Sequence, residues 1–515
     1  MSGSRACLRL PEIHSKEISM KVLFCASECV PFVKTGGLAD VVGSLPKELL
    51  KQGCDVRVVI PKYRVIDWSY IVSMEHICHF QLPFGDGSVF CGIDSLEYEG
   101  VRFYFIDNLA MFGHDGVYTG DEQEGFRYAF FCKAVLDSLP KIDFFPDVIH
   151  CNDWQTGLIP ALLRMQYSHD PEYAKIKTVY TIHNLRFQGL YCWNRIASVL
   201  HLDWRFFNQD GLEFYGLLSF MKGGINYSDR ITTVSPTYAE EICTDYYGER
   251  LDGLLRARKY SLSGILNGID TVSYDPKTDL ALPDHYSIRN PQVKKVIKQK
   301  LQQDLGLAER DVPMLSMVTR LTDQKGLDLV QCVLEEILSL DVQLVVVGLG
   351  DSKYTDMLRN AQRRHYGSVV LCSVLDESLA RRVYAASDIY LMPSQFEPCG
   401  LSQMIAMRYG TIPIVRETGG LKDSVIPYNK YTDEGTGFGF RNYNAHEMLK
   451  QIEDATWLWR NDPEMWDRMI HRAMKEDFSW KASAKKYLAL YKNMLGLSGR
   501  AARRKKDGIE PRTEE

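Results

Sequence analysis

The sequence predicts an α/β protein made of two similar units, each built on a parallel sheet. Three observations predict it. Short apolar runs alternate with longer stretches of helical periodicity along most of the chain. Glycine-led polar segments follow several of the apolar runs, where open parallel sheets bind ligands. The strand–helix series then starts again near Ser263. At roughly 100–200 residues per domain, 515 residues allow two to four domains, and two large ones are the simplest division.

In chain order, residues 21–26 (KVLFCA) read as a buried strand. A loop at 27–36 carries Pro31 and leads to Gly36 and Gly37, after which Leu38, Val41, Val42, Leu45 and Leu49 recur at helical spacing. Gly53 is the expected helix stop and residues 55–60 (DVRVVI) the next strand, giving a βαβ unit. Residues 80–105 alternate apolar and polar, which suggests an antiparallel addition. Strands follow at 147–151, 177–182 and 230–234, with helical TGLIPALLRMQY after the first of them. In the second series, strands are expected at 313–318, 342–347, 369–372, 389–392 and 412–415. Leu327, Leu329, Val330, Val333, Leu334 and Ile337 form the stripe of one helix. A last helix at 480–495 carries Tyr487, Leu488, Leu490 and Tyr491 on its apolar side. The expected division is an extension at 1–19, a first unit at 20–262, a second at 263–476, a final segment at 477–497 and a disordered charged tail at 498–515.

Composition excludes several classes. The formal charge of −5, from 66 acidic and 61 basic residues, offers no global attraction to nucleic acid or an anionic membrane. The basic run at 503–506 has no interleaved aromatics and reads as a solvated tail. No apolar run approaches the roughly 18 residues of a membrane span. Pro11, Glu12, His14 and Glu17 break any signal-peptide core, and the acids argue against a transit peptide. The 13 cysteines are an odd number, scattered singly and without CxxC, and Cys25, Cys151 and Cys372 lie in strand-like runs. They read as core thiols of a reducing compartment. Cys25 and Cys29 lack further ligands that would make them a metal pair.

The polar segments after the strands carry the chemistry. Lys34 with Gly36 and Gly37 at a helix start suits an anion, although a tight turn with a solvated lysine reads equally well. Asn152, Asp153 and Trp154 follow one strand, and His183 and Asn184 the next. A His–Asp pair is possible there, but no G-x-S-x-G elbow accompanies it. Arg320 and Lys325 around a helix start suit a diphosphate, which a guanidinium binds bidentately. Glu397 stands between Pro393 and Pro398, where a carboxylate can accept from sugar hydroxyls or complement a helix dipole. Its loop is expected to lie outside the core. Gly400 and Leu401 can offer N–H groups to phosphate, and Thr418, Gly419 and Gly420 open another such segment. No G-x-G-x-x-G follows the first strand, Gly348 and Gly350 lack the third glycine, and neither a P-loop nor H-E-x-x-H is present. Together these features suggest a nucleotide-linked, phosphate-bearing ligand in a cleft between the units.

An ordered set of motifs resembles bacterial glycogen synthases and plant starch synthases, glycosyltransferase family 5. It comprises KTGGLADV at 34–41, HNL at 183–185 with Gln188 and Gly189, VSPTY at 234–238 and LNGID at 266–270. RLTDQKGL at 320–327, FEPCGL at 396–401, TGGL at 418–421 and DFSW at 477–480 complete it. The likeness runs from about Met20 to Leu495. It implies a glycosyltransferase-B fold, with two Rossmann-like domains facing a deep cleft and the chain after Asp477 returning to the first domain. It implies glucose transfer from ADP-glucose to the non-reducing 4-hydroxyl end of an α-1,4-glucan (glycogen or starch), with retention, no metal and no cofactor. Nucleic acid and membrane are not expected partners, and bacterial cytoplasm is favoured over plastid.

The resemblance implies Lys34, Arg320, Lys325, Glu397 and Cys399 as donor-site residues, with Gly36, Gly37, Asn267, Gly400, Leu401 and Thr418 beside them. His183 matches a sugar-contacting histidine, while Asp40, Asp153 and Asn184 fall on the sugar or acceptor side. The catalytic set is Glu397, His183, Arg320, Lys325 and Lys34. The chain departs from the common pattern at Gln395, Gln155, Arg186, Phe187 and Glu417, which bears on donor affinity and acceptor preference. A UDP-glucose enzyme, a phosphorylase of the same fold and a non-catalytic glucan-binding relative are the rival readings.

Overall fold

The computed structural model describes residues 19–374 and 376–497. The charged tail and nearly all of the expected extension lie outside these residues.

The first unit is built on a nine-stranded sheet. Its strands are β1 (Lys21–Cys25), β2 (Asp55–Pro61), β3 (Glu75–Phe84), β4 (Gly87–Tyr98), β5 (Val101–Asp107), β6 (Val148–Asn152) and β7 (Lys177–Ile182), joined later by two more. A separate three-stranded sheet holds β8 (Leu190–Tyr191), β9 (Glu213–Phe214) and β10 (Leu217–Ser219). The chain then returns to the large sheet as β11 (Arg230–Thr233) and β12 (Leu262–Gly264). The order is β12-β11-β7-β6-β1-β2-β5-β4-β3. All pairs are parallel except β3–β4 and β4–β5. The expected antiparallel addition is therefore this hairpin pair. Its second turn places Glu99 and Gly100 at φ 49° and 79°, the left-handed pair that a two-residue type I′ loop requires.

Buried parallel strands read as continuous apolar runs because helices cover both faces. β1 and β6 follow that rule, with every residue from Val22 to Cys25 and from Val148 to Asn152 buried. Helix α1 (Gly37–Lys51) crosses from β1 to β2 on the predicted stripe, with Leu38, Val41, Val42, Leu45 and Leu49 buried. Gly53 follows it at φ 91°.

The second unit carries β13 (Met314–Val318), β14 (Gln343–Val347), β15 (Val369–Cys372), β16 (Ile389–Met392), β17 (Ile412–Arg416) and β18 (Phe438–Phe440), all parallel, in the order β15-β14-β13-β16-β17-β18. The expected single helix after β13 is two short ones, Leu327–Cys332 and Leu334–Ser339, broken at Val333, which lies at φ −123°. The six stripe residues are nonetheless all buried.

Both sheets reverse their winding. In the second, the chain runs β13, β14, β15 outward and resumes at β16 on the other side of β13. In the first, it leaves β1 toward β2 and resumes at β6 on β1's other side. Such reversals open a crevice beyond the strands' carboxyl ends.

One boundary differs from expectation. Ser263 and Gly264 belong to β12, which pairs with β11, so the first sheet runs past the expected start of the second unit. Three residues without an apolar run gave no strand signal. The chain crosses between units twice, side by side: Ile269 N donates to Phe478 O at 2.7 Å. The last helix (Trp480–Met494) then lies against the first unit, where the Tyr491 hydroxyl sits 2.6 Å from buried His150 Nδ1. No helix among the described residues is long and apolar enough to cross a membrane.

Candidate functional site

The loop after β1 is organised by Glu28, a carboxylate in an otherwise apolar stretch. It is 3% exposed and its Oε2 accepts from Thr35 N at 2.5 Å, Thr35 Oγ1 at 2.8 Å and Gly36 N at 3.3 Å. Burial raises its pKa, while the bonds to Thr35 and Gly36 pull the other way. Gly36 therefore does not present a free N–H to a ligand, contrary to the expectation for this helix start. Gly37, where α1 begins, remains at the cleft. Lys34 bonds Asp40 Oδ1 at 2.8 Å, so its charge is already shared with a carboxylate of the same segment. Desolvation raises the Asp40 pKa and Lys34 opposes it.

At the ends of β6 and β7, Asp153 adopts φ 55°, a conformation rare for aspartate. Strained backbone of this kind concentrates at functional sites. Its Oδ1 accepts from His183 N at 2.7 Å and Asn184 N at 3.4 Å, and burial pushes its pKa up to about 7. The His183 tautomer follows from its neighbour. The Asn152 amide nitrogen donates to Cys25 O and His150 O, so Asn152 Oδ1 faces His183 Nε2 at 2.9 Å. Nε2 must then carry the proton, which leaves Nδ1 as an acceptor. Burial lowers the His183 pKa to about 3, so the ring is neutral at pH 7. Gln155 is buried at 5% exposure, and its Oε1 has no hydrogen-bond partner among the described residues.

In the second unit, Lys325 Nζ lies 2.5 Å from Glu397 Oε2, and Ser394 Oγ donates to the same oxygen at 3.1 Å. Glu397 is 7% exposed, so its loop is part of the packed interior, not outside it as expected. A carboxylate buried there is tolerable because the lysine neutralises it. Arg320 is exposed. Cys399 lies beside the Asn267 backbone N–H, and burial pushes its thiol up to about 12, so it is uncharged. The TGGL segment interlocks with this loop, since a Cβ at Gly419 would stand 2.0 Å from Glu397 O and one at Gly420 2.2 Å from Cys399 O.

Thr418 differs from its expected role. It is fully buried, and its hydroxyl donates to Glu241 of the first unit at 2.9 Å, as Gly419 N does at 3.1 Å. A carboxylate of the protein fills this helix start. Glu28 and Glu241 are the two acids the sequence reading passed over. Glu28 was signalled by its isolation among apolar residues, whereas Glu241 had no local signal.

The two units meet closely. Ser235 Oγ donates to Pro398 O at 2.6 Å, and Thr237 bonds Asp423 through N and Oγ1, both at 2.7 Å. A Cβ at Gly37 would lie 4.0 Å from Leu401 Cδ1, so the helix starts of KTGGL and FEPCGL face one another. The fold thus joins Lys325 to Glu397, Lys34 to Asp40, Asp153 to His183 and Asn184, and Cys399 to Asn267.

Residues 21–257 match the starch synthase catalytic domain family, and residues 298–476 match glycosyl transferases group 1. A glycogen synthase of Geobacillus thermodenitrificans is 52% identical over 477 residues, covering 92% of this chain and 98% of that protein. One from Desulforamulus reducens is 53% identical, covering 92% and 99%. The catalytic domain of starch synthase IV from Arabidopsis thaliana, bound to ADP and acarbose, superposes with a TM-score of 0.86 at 32% identity, covering 93% of this chain and 100% of that one. With the two facing sheets and their shared crevice, these likenesses establish that the chain belongs to the glycogen synthase and starch synthase family of glycosyltransferases.

Proposed function

We propose that this enzyme transfers glucose from ADP-glucose to the 4-hydroxyl at the non-reducing end of an α-1,4-glucan, with retention of configuration. The observation that carries the reading is the pair of sheet reversals facing one cleft, with Lys34 beyond β1 and Arg320 and Lys325 beyond β13. The first unit takes the acceptor side and the second the nucleotide-sugar.

In this reading the bond from glucose C1 to the diphosphate oxygen breaks, and negative charge gathers on the leaving group. Arg320 and Lys325 stabilise that charge, and Lys34 adds to it from the opposite unit. Preorganised donors placed where charge develops are the largest common source of rate enhancement. Glu397 Oε2 holds Lys325 in position, which leaves Oε1 for a sugar hydroxyl. His183 Nδ1 accepts from another hydroxyl as the ring becomes oxocarbenium-like. The acceptor oxygen attacks C1 from the face the diphosphate leaves, and its proton passes to the departing diphosphate. Asp153 holds the His183–Asn184 turn through its backbone bonds and is assigned no nucleophilic role. Closure of the units excludes water, which would otherwise hydrolyse the donor.

The free thiols scattered through the described residues fit a cytoplasmic enzyme. The test is incorporation of labelled glucose into glycogen with ADP-glucose and UDP-glucose in competition. Incorporation from ADP-glucose is expected. Preference for UDP-glucose would replace the donor, and no incorporation from either would restore a non-catalytic glucan binder.

A further inference from the structure

β17 ends in Arg416, which is 9% exposed. Its guanidinium forms no ion pair among the described residues, and the neighbouring Glu417 pairs with Arg441 at 3.6 Å instead. Nη1 donates to Gln395 O at 2.5 Å and Nη2 to the Tyr247 hydroxyl at 3.0 Å, while Nε has no hydrogen-bond partner. A buried charge without a counter-charge is costly, and an idle donor adds to that cost. For packing alone, an apolar side chain would serve as well or better here.

Both of its bonds lead toward the chemistry. Gln395 stands two residues before Glu397, and its N donates at 2.8 Å to the carbonyl of Gln324, the neighbour of Lys325. The Gln395 backbone thus ties together the two loops that supply the Lys325–Glu397 pair, and Arg416 holds its carbonyl. These loops have no slack between them, since a Cβ at Gly326 would stand 2.2 Å from Pro393 O. Tyr247, the other partner, belongs to the first unit. Two residues beyond Arg416, Thr418 makes the further crossing to Glu241. Burial raises the Glu241 pKa and Arg416 is among the groups that oppose the rise, so the guanidinium's charge reaches this crossing as well.

We propose that Arg416 is a positioning residue that makes the alignment of Lys325 with Glu397 depend on contact between the units. The proposal rests on the ADP-glucose reading above. The donors of a guanidinium lie in one plane at fixed angles, so it serves two acceptors at once only when both are in place. With the units together, Tyr247 fixes the plane of the fork and the fork fixes Gln395. With the units apart, Nη2 loses its acceptor and the hold on Gln395 loses its orientation. The donor then meets an aligned pair only in a closed cleft, from which water is excluded.

Tyr247→Phe removes the hydroxyl alone, and Arg416→Lys keeps the charge without the fork. Steady-state transfer and thermal unfolding are measured for both variants and their combination, with small-angle scattering with and without ADP and in the absence of glucan. Each single variant is expected to lower kcat about 10-fold, the loss of one hydrogen bond to a charged group. The ADP-glucose KM and the melting midpoint of Tyr247→Phe should not move. The double variant should fall no further than Arg416→Lys, because both changes break one chain of contacts. ADP should compact wild type more than either variant. A Tyr247 that served only the acceptor would leave compaction by ADP unchanged. That result, additive losses in kcat, or wild-type kcat in Tyr247→Phe each overturns the proposal. Should Arg416→Lys fail to fold, Tyr247→Phe carries the test. If wild type transfers no glucose from ADP-glucose, the donor reading fails and the scattering decides this proposal alone. Equal compaction in wild type and variants, or none in any, then counts against it.

Discussion

Replacing Lys325 separates a structural from a chemical role for the Lys325–Glu397 pair. The side chains are 14% and 9% exposed and 2.5 Å apart. In Lys325→Ala, the Glu397 carboxylate stays buried with the Ser394 hydroxyl, at 3.1 Å, as its remaining side-chain donor. Breaking a buried pair from one side costs about 3–5 kcal/mol. The residual solvent access here places this pair at about 2–3 kcal/mol. At roughly 2–4 °C per kcal/mol for a unit of 150–250 residues, the midpoint of the second unit should drop by about 4–12 °C. Turnover should drop further, about 10²–10³-fold, as when one preorganised donor is removed from a developing anion. The double variant Lys325→Met with Glu397→Gln removes both charges and leaves none stranded. Its melting midpoint should recover most of the loss while labelled-glucose incorporation stays low. If turnover recovers with stability, or if Lys325→Ala turns over near normally, the pair serves folding and the leaving-group argument is wrong.

Three other perturbations test the site and its frame. Glu28→Ala leaves Thr35 N and Gly36 N without their acceptor, and the displaced loop should lower kcat/KM by up to about 100-fold; Glu28→Gln, which retains an acceptor oxygen, should lose less in the same steady-state assay. Asp153 titrates near 7 in the fold, against about 3.9 in the unfolded chain. Between those values the folded state holds the extra proton, so this group's contribution falls as pH rises. Urea unfolding of Asp153→Asn should therefore gain on wild type from pH 4 to 7 and run parallel below pH 4; a constant difference throughout would show that the carboxyl is not so perturbed. Gly268→Ala would put a Cβ 2.6 Å from Trp480 N where the two chain crossings touch, costing about 1–3 kcal/mol by thermal unfolding. An unchanged midpoint would mean the crossings have slack.

The central strands were legible because strands buried on both faces have little choice but to be apolar throughout. The β3–β4 hairpin was legible by the opposite signature, one face in and one face out. β12 was not, because an edge strand of three half-buried residues needs no apolar pattern. The positions of Lys34, Lys325 and Glu397 could be inferred since each follows a strand. Their partners were harder. Lys325 and Glu397 are 72 residues apart, and Glu241 and Thr418 177 apart, so no local window contains either pair. Thr418 illustrates the cost: a free helix start and one filled from another unit have the same local sequence.

The polar character of the junction between units bears on how the enzyme works. On the proposed reading, a glucan end passing between Gly37 and Leu401 would have to part them, because a Cβ at Gly37 would already stand 4.0 Å from Leu401 Cδ1. Both covalent crossings lie together, tied by Ile269 N to Phe478 O and by Ser483 Oγ to Leu266 O at 2.6 Å. Paired crossings restrict separation chiefly to rotation about that point. Away from it, hydrogen bonds join Ser235, Thr237, Glu241 and Tyr247 of the first unit to Pro398, Asp423, Thr418, Gly419 and Arg416 of the second. A hydrogen bond that water can replace contributes only about 0.5–1.5 kcal/mol net. A junction of this kind can open repeatedly at modest cost, whereas a large apolar interface would lock it. Glu241 adds a condition, since a carboxylate over the TGGL helix start occupies a place where a phosphate would otherwise be favoured. On the proposed reading, filling it would leave the donor's charge to Arg320 and Lys325, so the junction that lets the cleft move would also narrow where the diphosphate can sit.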